Sequence, residues 1–362
     1  MATHFHQLQV KDVRRETAAC ISVSFVIPPH LKDEFAFTQG QNITVKAMIG
    51  GEELRRSYSV CSSPLDDELR IAVKKVSGGR FSSWAATHLQ PGSQIEVLPP
   101  TGKFFTPLHV SNKKNYIAFA AGSGITPIIS IIKTTLDAEP ESSFTLFYGN
   151  KNRSSIIFKE TLEALKNKFV NRLGIHHILS KEKTDTPLNQ GRIDAAKCAS
   201  IFRHIIRLEH CDEFFLCGPE AMIFDIKDYL ENNGVDKKKI HFELFTVPGK
   251  KIPARLAGTP IAENILSSKQ STVTIKLDGI AFEFGLSFHG DAILDAALAQ
   301  GADLPFACKG GVCATCRAKL VSGEVEMDNN YALEPEEIVN GYILTCQSHP
   351  RSEKVSIDFD QR

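Results

Sequence analysis

Three cysteines fall within nine residues, Cys308, Cys313 and Cys316 in CKGGVCATC, and a fourth, Cys346, follows in GYILTCQSHP. Thiols in such proximity can form a disulfide knot, a zinc site or an iron–sulfur cluster. The chain holds nine cysteines, an odd number, and its N-terminus MATHFHQLQVKDVRRET carries charges but no apolar export segment. Reduced thiols in a cytoplasmic protein are therefore expected, which removes the disulfide. Structural zinc sites pair two short C-x-x-C-like knuckles, and a lone cysteine separated from Cys316 by 29 residues fits them poorly. The C-x4-C-x2-C spacing followed by a distant cysteine suits a [2Fe–2S] cluster, with a loop wrapping one iron and the distant thiol completing the other. Gly310, Gly311 and Ala314 would let the backbone pass close to such a cluster and turn amides toward its sulfurs. Asp295, Ala302, Leu304 and Pro305 belong to the helix and turn that lead into the loop. A structural zinc module on the same four thiols is the alternative outside enzyme chemistry.

A second stretch, AAGSGITP at Ala120–Pro127, follows an apolar run and opens a helical pattern. Gly122 and Gly124 allow a tight turn and close approach to a pyrophosphate, whose charge a helix N-terminus meets. Pro127 stands where the usual fingerprint has its third glycine. FLCGPEAM places Cys217, Gly218 and Pro219 at a comparable strand end. The next strand ends in YGNKNRSS, which offers Lys151, Arg153 and Ser154 and no acid. Cations and hydroxyls there suit a 2′-phosphate, so NADPH is expected over NADH.

The elements that must position these groups read as three domains, in keeping with 362 residues. Residues 5–108 hold short alternating runs (FHQLQVKDV, CISVSFVI, NITVKAMI, LRIAVKKV, SQIEVLPP) broken by Gly, Pro and Asp, the pattern of an antiparallel barrel. One helix is expected near Phe81–Leu89. Beyond Lys113, strands and helices alternate, predicting a parallel sheet covered on both faces. Residues 248–270 read as a linker, rich in Lys, Pro, Gly and Ser. After it comes a hairpin (VTIKLDGIAFEF), then a short helix with Asp291 as N-cap and Gly301 past its end. The boundaries are thus 1–110, 111–247, 248–270 and 271–362. The most apolar window, Tyr116–Ile132, is broken by two glycines and a proline and does not suit a membrane span. Neither a membrane nor a nucleic acid is an expected partner. Formal net charge is zero, yet residues 271–362 carry 14 acids against seven bases. Glu324, Glu326, Asp328, Glu334, Glu336 and Glu337, between the third and fourth cluster cysteines, are candidates for a docking face toward a basic patch.

Alone, RSYS at Arg56–Ser59 is too short to mean anything. The combination RSYS…GGRFSS…GSGITP…CGP with the cysteine spacing resembles the ferredoxin–NADP reductase-like superfamily carrying a C-terminal plant-type ferredoxin. This resemblance implies a β-barrel flavin domain, a Rossmann-like nucleotide domain and a β-grasp ferredoxin domain. It implies FAD rather than FMN, from the GGRFSS segment. Arg56 would neutralise the FAD pyrophosphate, Tyr58 and Ser59 would contact the isoalloxazine, and Ser57 and Lys74 would join them. Backbone amides of Gly79, Arg80, Phe81 and Ser82 would hold phosphate at a helix start. Thr126 and Cys217 would flank the nicotinamide, while Gly122, Gly124, Pro127, Gly218 and Pro219 shape the cleft and Arg153 and Ser154 take the nucleotide's far end. Glu243 and Phe245, in HFELF, match an E-x-F element near the flavin. Electrons would pass from NADPH through FAD and the cluster to a separate oxygenase. A di-iron oxygenase acting on an aryl-CoA thioester is expected ahead of a Rieske-type or steroid hydroxylase. No general base is required, so none of the twelve histidines receives a catalytic role.

Overall fold

The computed structural model describes residues 4–245 and 269–361. The chain forms two compact units, one built from most of residues 7–245 and the other containing 269–361. In the first, β1 (His6–Thr17), β2 (Cys20–Val26), β3 (Asn42–Ile49), β4 (Glu52–Ser59), β5 (Leu69–Lys74) and β6 (Gln94–Val97) form one sheet in the order β4-β3-β6-β1-β2-β5. A bridge between Val60 and Ile71 links its two edges, curling the sheet into a barrel around Leu8, Val10, Val23, Ile43, Val45 and Val97. The helix α1 (Arg80–His88) plugs this core with Phe81 and Ala85.

RSYS closes β4. Gly50 and Gly51, with φ of 62° and 81°, turn the chain between β3 and β4, so EELRRSYS is the whole return strand. The charged residues Glu52, Glu53, Arg55 and Arg56 disguised its first half as a loop.

The rest of this unit alternates β7 (Asn115–Ala121), α2 (Ile125–Ala138), β8 (Ser143–Asn150), α3 (Lys159–Lys168), β9 (Leu173–Leu179), α4 (Ala195–His204), β10 (Glu213–Gly218), α5 (Glu220–Asn232) and β11 (Ile240–Leu244). Its strands are parallel in the order β11-β10-β7-β8-β9. Apolar side chains of α2 and α3 cover one face and those of α4 and α5 the other. The strand order reverses between β7 and β10, and a crevice at the carboxyl ends of such strands is where parallel sheets bind ligands. No helix among the described residues is long and apolar enough to cross a membrane.

The second unit comprises β12 (Gln270–Leu277), β13 (Ile280–Ser287), α6 (Ile293–Ala299), β14 (Arg317–Ser322), β15 (Val325–Met327), α7 (Pro335–Val339), β16 (Tyr342–Leu344), β17 (Ser348–Pro350) and β18 (Lys354–Asp358). A five-stranded sheet, β13-β12-β18-β14-β16, grips α6 through Ile293, Leu294 and Ala297. Asp278 and Gly279, at φ of 53° and 74°, form the hairpin turn, and the Asp360 carboxylate accepts both their amides at 2.7 and 2.9 Å. Asp291 does not cap α6. The N-cap is Ala292, without a side-chain bond, so the acid lies one residue too early. Gly301 ends the helix as expected, at φ of 87°. The expected linker lies outside the described residues except for its last two, and Gln270 already belongs to β12.

Candidate functional site: a parallel-sheet edge, a barrel-to-sheet contact and a thiol loop

The turns after β7 and β10 meet at the strand-order reversal, where Ala120 stands opposite Cys217. A Cβ on Gly124 would lie 2.0 Å from the Cys217 carbonyl oxygen, so only glycine lets the two turns touch. Gly218 is similarly enclosed: a Cβ there would come 2.6 Å from Met222 Cε and 3.1 Å from Ala121 Cβ. Gly122 adopts φ of 55°, and its carbonyl accepts the Tyr148 hydroxyl at 2.9 Å. A Cβ on Gly122 would lie 3.0 Å from Lys74 Nζ, so the barrel strand β5 delivers an ammonium to this turn. Burial lowers the Lys74 pKa, and Lys151 adds repulsion. The α2 N-terminus opens here with Thr126 Oγ1 bonded to the Ser123 carbonyl at 3.0 Å. Pro127 sits in its first turn, where a missing N–H removes no helical bond. Pro219 immediately precedes α5.

Along the same edge β11 lies beside β10, with Glu243 opposite Cys217. The Glu243 carboxylate accepts a hydrogen bond from Ser59 Oγ at 2.6 Å, which joins β4 of the barrel to the nucleotide sheet. Burial raises the Glu243 carboxyl from its ordinary 4.5 to about 7, against the opposing pull of that bond. Burial likewise raises the Cys217 thiol, and the Glu243 charge adds to it. Glu243 therefore holds a proton up to neutral pH that it would release when unfolded. Between pH 4.5 and 7 the folded state binds more protons than the unfolded one, so stability falls as pH rises through this window. Glu243→Gln is expected to flatten that dependence, read by urea denaturation of both proteins from pH 5 to pH 8. Parallel curves for the two would contradict a proton-holding Glu243.

Other sequence-expected residues are placed as follows. Tyr58 lies with its ring 5.9 Å from that of Phe81, and Phe81 itself is only 2% exposed, a core residue with just its amide at the helix start. Ser82 Oγ accepts the Val76 amide and donates to the Gly79 carbonyl, shaping the turn before α1. The Arg80 guanidinium is engaged on the Glu52 carboxylate and the Ile49 carbonyl of the β3–β4 turn. Arg56 donates to the Arg55 carbonyl at 2.6 Å, and Ser57 separates it from Tyr58 on β4. Phe245, after β11, is exposed.

The β8 end corrects the sequence picture. Arg153 and Ser154 begin a short turn capped by Asn152, and Glu182 accepts the Arg153 amide at 2.8 Å and forms an ion pair with its guanidinium at 3.4 Å. An acid is present after all, supplied from just beyond the end of the neighbouring strand β9. Backbone bonds that continue past that strand, from Ser180 N to Asn150 O and Lys181 N to Lys151 O, bring it there. The Asn150 carboxamide is buried beside them with neither atom hydrogen-bonded, an unsatisfied polar group of the kind a ligand edge can carry.

The thiol loop runs from Cys308 to Cys316. Lys309, Gly311 and Ala314 have φ of 50°, 75° and 54°, three left-handed positions that turn the chain sharply within the loop. A Cβ on Gly311 would meet the Asn329 carbonyl at 2.8 Å, so this backbone approach requires glycine. Gln347 Nε2 to Lys309 O (3.1 Å), Tyr331 N to Gly311 O (3.0 Å) and Thr345 Oγ1 to Cys316 O (3.0 Å) brace the loop from outside. Among the described residues no group of three or more His, Cys, Asp or Glu is set to hold a single metal ion. The four cysteines meet pairwise instead: Cys308 with Cys313 and Cys346, and Cys346 with Cys316. Cys308 is held well below its ordinary range by those thiols and by the amides of Gly310 and Val312. A second thiolate beside it is unfavourable, which raises Cys313 and Cys346. Thiols in pairs, with amides turned to sulfur, fit a two-iron cluster.

The expected acidic face is partly consumed by the fold. Glu337 is buried against Arg317 at 2.9 Å and accepts the Glu334 amide. Glu326 pairs with Arg351 and Asp328 with His349, while Glu334, the N-cap of α7, and Glu336 within it stay exposed.

Comparison with known proteins agrees with this division. Residues 7–106 match the model of the oxidoreductase FAD-binding domain, 119–228 that of the oxidoreductase NAD-binding domain, and 275–351 that of the 2Fe-2S iron-sulfur cluster binding domain. The chain is 44% identical over 360 residues to a component of the 1,2-phenylacetyl-CoA epoxidase of Escherichia coli, covering 99% of each chain. It is 33% identical to the ferredoxin reductase component of 3-ketosteroid-9-alpha-monooxygenase from Rhodococcus rhodochrous, over 97% of this chain and 96% of that one. Its fold is shared with phthalate dioxygenase reductase at a TM-score of 0.58 and 24% identity, covering 98% of both chains. With a flavin barrel, a nucleotide sheet and a four-thiol loop on one chain, this protein belongs to the ferredoxin–NADP reductase-like flavoproteins with a C-terminal [2Fe–2S] ferredoxin domain, the reductase components of multicomponent oxygenases.

Proposed function

We propose that this chain is the cytoplasmic, NADPH-dependent reductase component of a phenylacetyl-CoA epoxidase system, serving a di-iron oxygenase in aerobic phenylacetate degradation. Identity of 44% along essentially the whole of both chains carries the reading. The five cysteines outside the thiol loop, Cys20, Cys61, Cys198, Cys211 and Cys217, are buried and unpaired, which supports a reducing compartment. The flavin and the cluster, when bound, supply the change from a two-electron donor to a one-electron acceptor. The chain's own residues hold and orient them. Arg56 meets the FAD pyrophosphate, the amides from Gly79 to Ser82 take phosphate at the α1 start, and Ser57, Tyr58, Ser59 and Lys74 line the ring side. Thr126 and Cys217 flank the nicotinamide, with Gly122, Gly124, Pro127, Gly218 and Pro219 fixing the close approach of their turns and Arg153 and Ser154 holding the far ribose. Glu243 keeps a proton at its carboxyl beside Ser59, and Phe245 follows on the same strand end. Cys308, Cys313, Cys316 and Cys346 hold the cluster. The segments 1–110, 111–247 and 271–362 would be the FAD, nucleotide and ferredoxin domains, joined through 248–270. Lys151, Arg153 and Lys181 favour the 2′-phosphate of NADPH.

A second acceptor, a steroid hydroxylase, is favoured by the 33% relative alone. Product formation by purified oxygenases separates the two. NADPH oxidation should couple to epoxidation of phenylacetyl-CoA, and coupling only to steroid hydroxylation would overturn the assignment.

A further inference from the structure

The Glu182 carboxylate is aimed at the group expected to choose between nucleotides. It holds the Arg153 amide at 2.8 Å and the guanidinium at 3.4 Å, and the backbone bonds extending the β8–β9 ladder fix both partners. Its side chain is about one-third exposed and so faces solvent at the ligand edge. A carboxylate in this place has two opposite effects. It can accept a hydrogen bond from a ribose 2′-hydroxyl, and it repels a 2′-phosphate while competing for the same arginine.

We propose that Glu182 sets the nucleotide preference, admitting NADH by accepting its 2′-hydroxyl and restraining the NADPH affinity that Lys151, Arg153 and Lys181 would otherwise give. This inference rests on the placement of the adenosine ribose at the β8–β9 edge. NADPH approaches as an anion that must displace Glu182 from Arg153, whereas NADH leaves the Arg153–Glu182 pair in place. The pair is thus an internal counter-ion beside the ammonium groups of Lys151 and Lys181.

The test is steady-state flavin reduction by each nucleotide, with displacement by 2′,5′-ADP and 5′-AMP, in wild type, Glu182→Gln, Glu182→Asp, Arg153→Ala and Lys181→Ala. Glu182→Gln should lower the NADPH KM roughly fivefold by removing one nearby like charge, raise the NADH KM and leave kcat unchanged. It should tighten 2′,5′-ADP without tightening 5′-AMP, and Glu182→Asp should restore the wild-type ratio in part. An unchanged NADPH-to-NADH ratio in Glu182→Gln, with Arg153→Ala and Lys181→Ala both weakening 2′,5′-ADP, would overturn the role of Glu182 while keeping the site. If Arg153→Ala and Lys181→Ala leave both nucleotides unaffected, the ribose site itself is elsewhere and the inference falls with it.

Discussion

Gly124→Ala is expected to abolish most NADPH-dependent flavin reduction and to cost about 3 kcal/mol of stability, the upper range for forcing extra volume into a packed site. The added Cβ would sit 2.0 Å from the Cys217 carbonyl oxygen and 2.5 Å from its carbon. Both are backbone atoms of a β10 strand held between β7 and β11, so no side chain can rotate away. Relief must come from parting the two turns, which moves Thr126 and Cys217 away from the nicotinamide they are proposed to flank. A useful contrast is Gly122→Ala, whose Cβ would meet only the flexible end of Lys74 at 3.0 Å. That change should cost about 1–2 kcal/mol, from the left-handed φ alone. Urea denaturation and the NADPH KM of both variants measure the difference. A Gly124→Ala protein with wild-type stability and KM would mean that the two turns do not need this contact.

The second large effect concerns the thiol loop. Cys346→Ala should give a protein that still oxidises NADPH with ferricyanide, an acceptor able to take electrons from the flavin, yet supports the oxygenase about a hundredfold or more slowly. Cys346 follows β16, and its sulfur meets both Cys308 and Cys316, so its loss would remove the proposed ligand that links those two thiols. Metal-binding energy also contributes to folding, so the ferredoxin unit should lose stability with its iron. Iron analysis and the two acceptor assays, run on one preparation, distinguish this from general damage. Full iron content with undiminished oxygenase coupling would remove Cys346 from the cluster.

Much of the fold and of the site was legible in the sequence because it depends on local spacing. CKGGVCATC carries part of its own loop geometry, since Gly311 is left-handed and too closely approached by the Asn329 carbonyl for a side chain. The alternation of β7 to β11 with helices announced a parallel sheet, and Gly124 followed from a strand–helix turn. What stayed hidden depends on pairing between distant segments. Glu182 lies 29 residues beyond Arg153 and meets it only through the β8–β9 register. Glu337 looked like one more surface acid until the fold set it against Arg317. Asp291 satisfied the composition rule for an N-cap, but the backbone begins its helix one residue later than such a cap requires. The Ser59–Glu243 contact joins a barrel strand to the last strand of the nucleotide sheet, 184 residues apart, a closeness no local pattern encodes.

That one chain carries both a flavin and a two-iron cluster in electronic contact is tested most directly by its reduction. Anaerobic addition of NADPH to the purified protein would be followed by rapid visible spectroscopy, with iron, zinc and flavin determined on the same sample. About two irons and one flavin per chain are expected, with flavin bleaching followed by cluster bleaching and no added mediator. A colourless, zinc-containing chain without flavin, or a flavin that bleaches while the cluster stays oxidised, would contradict it.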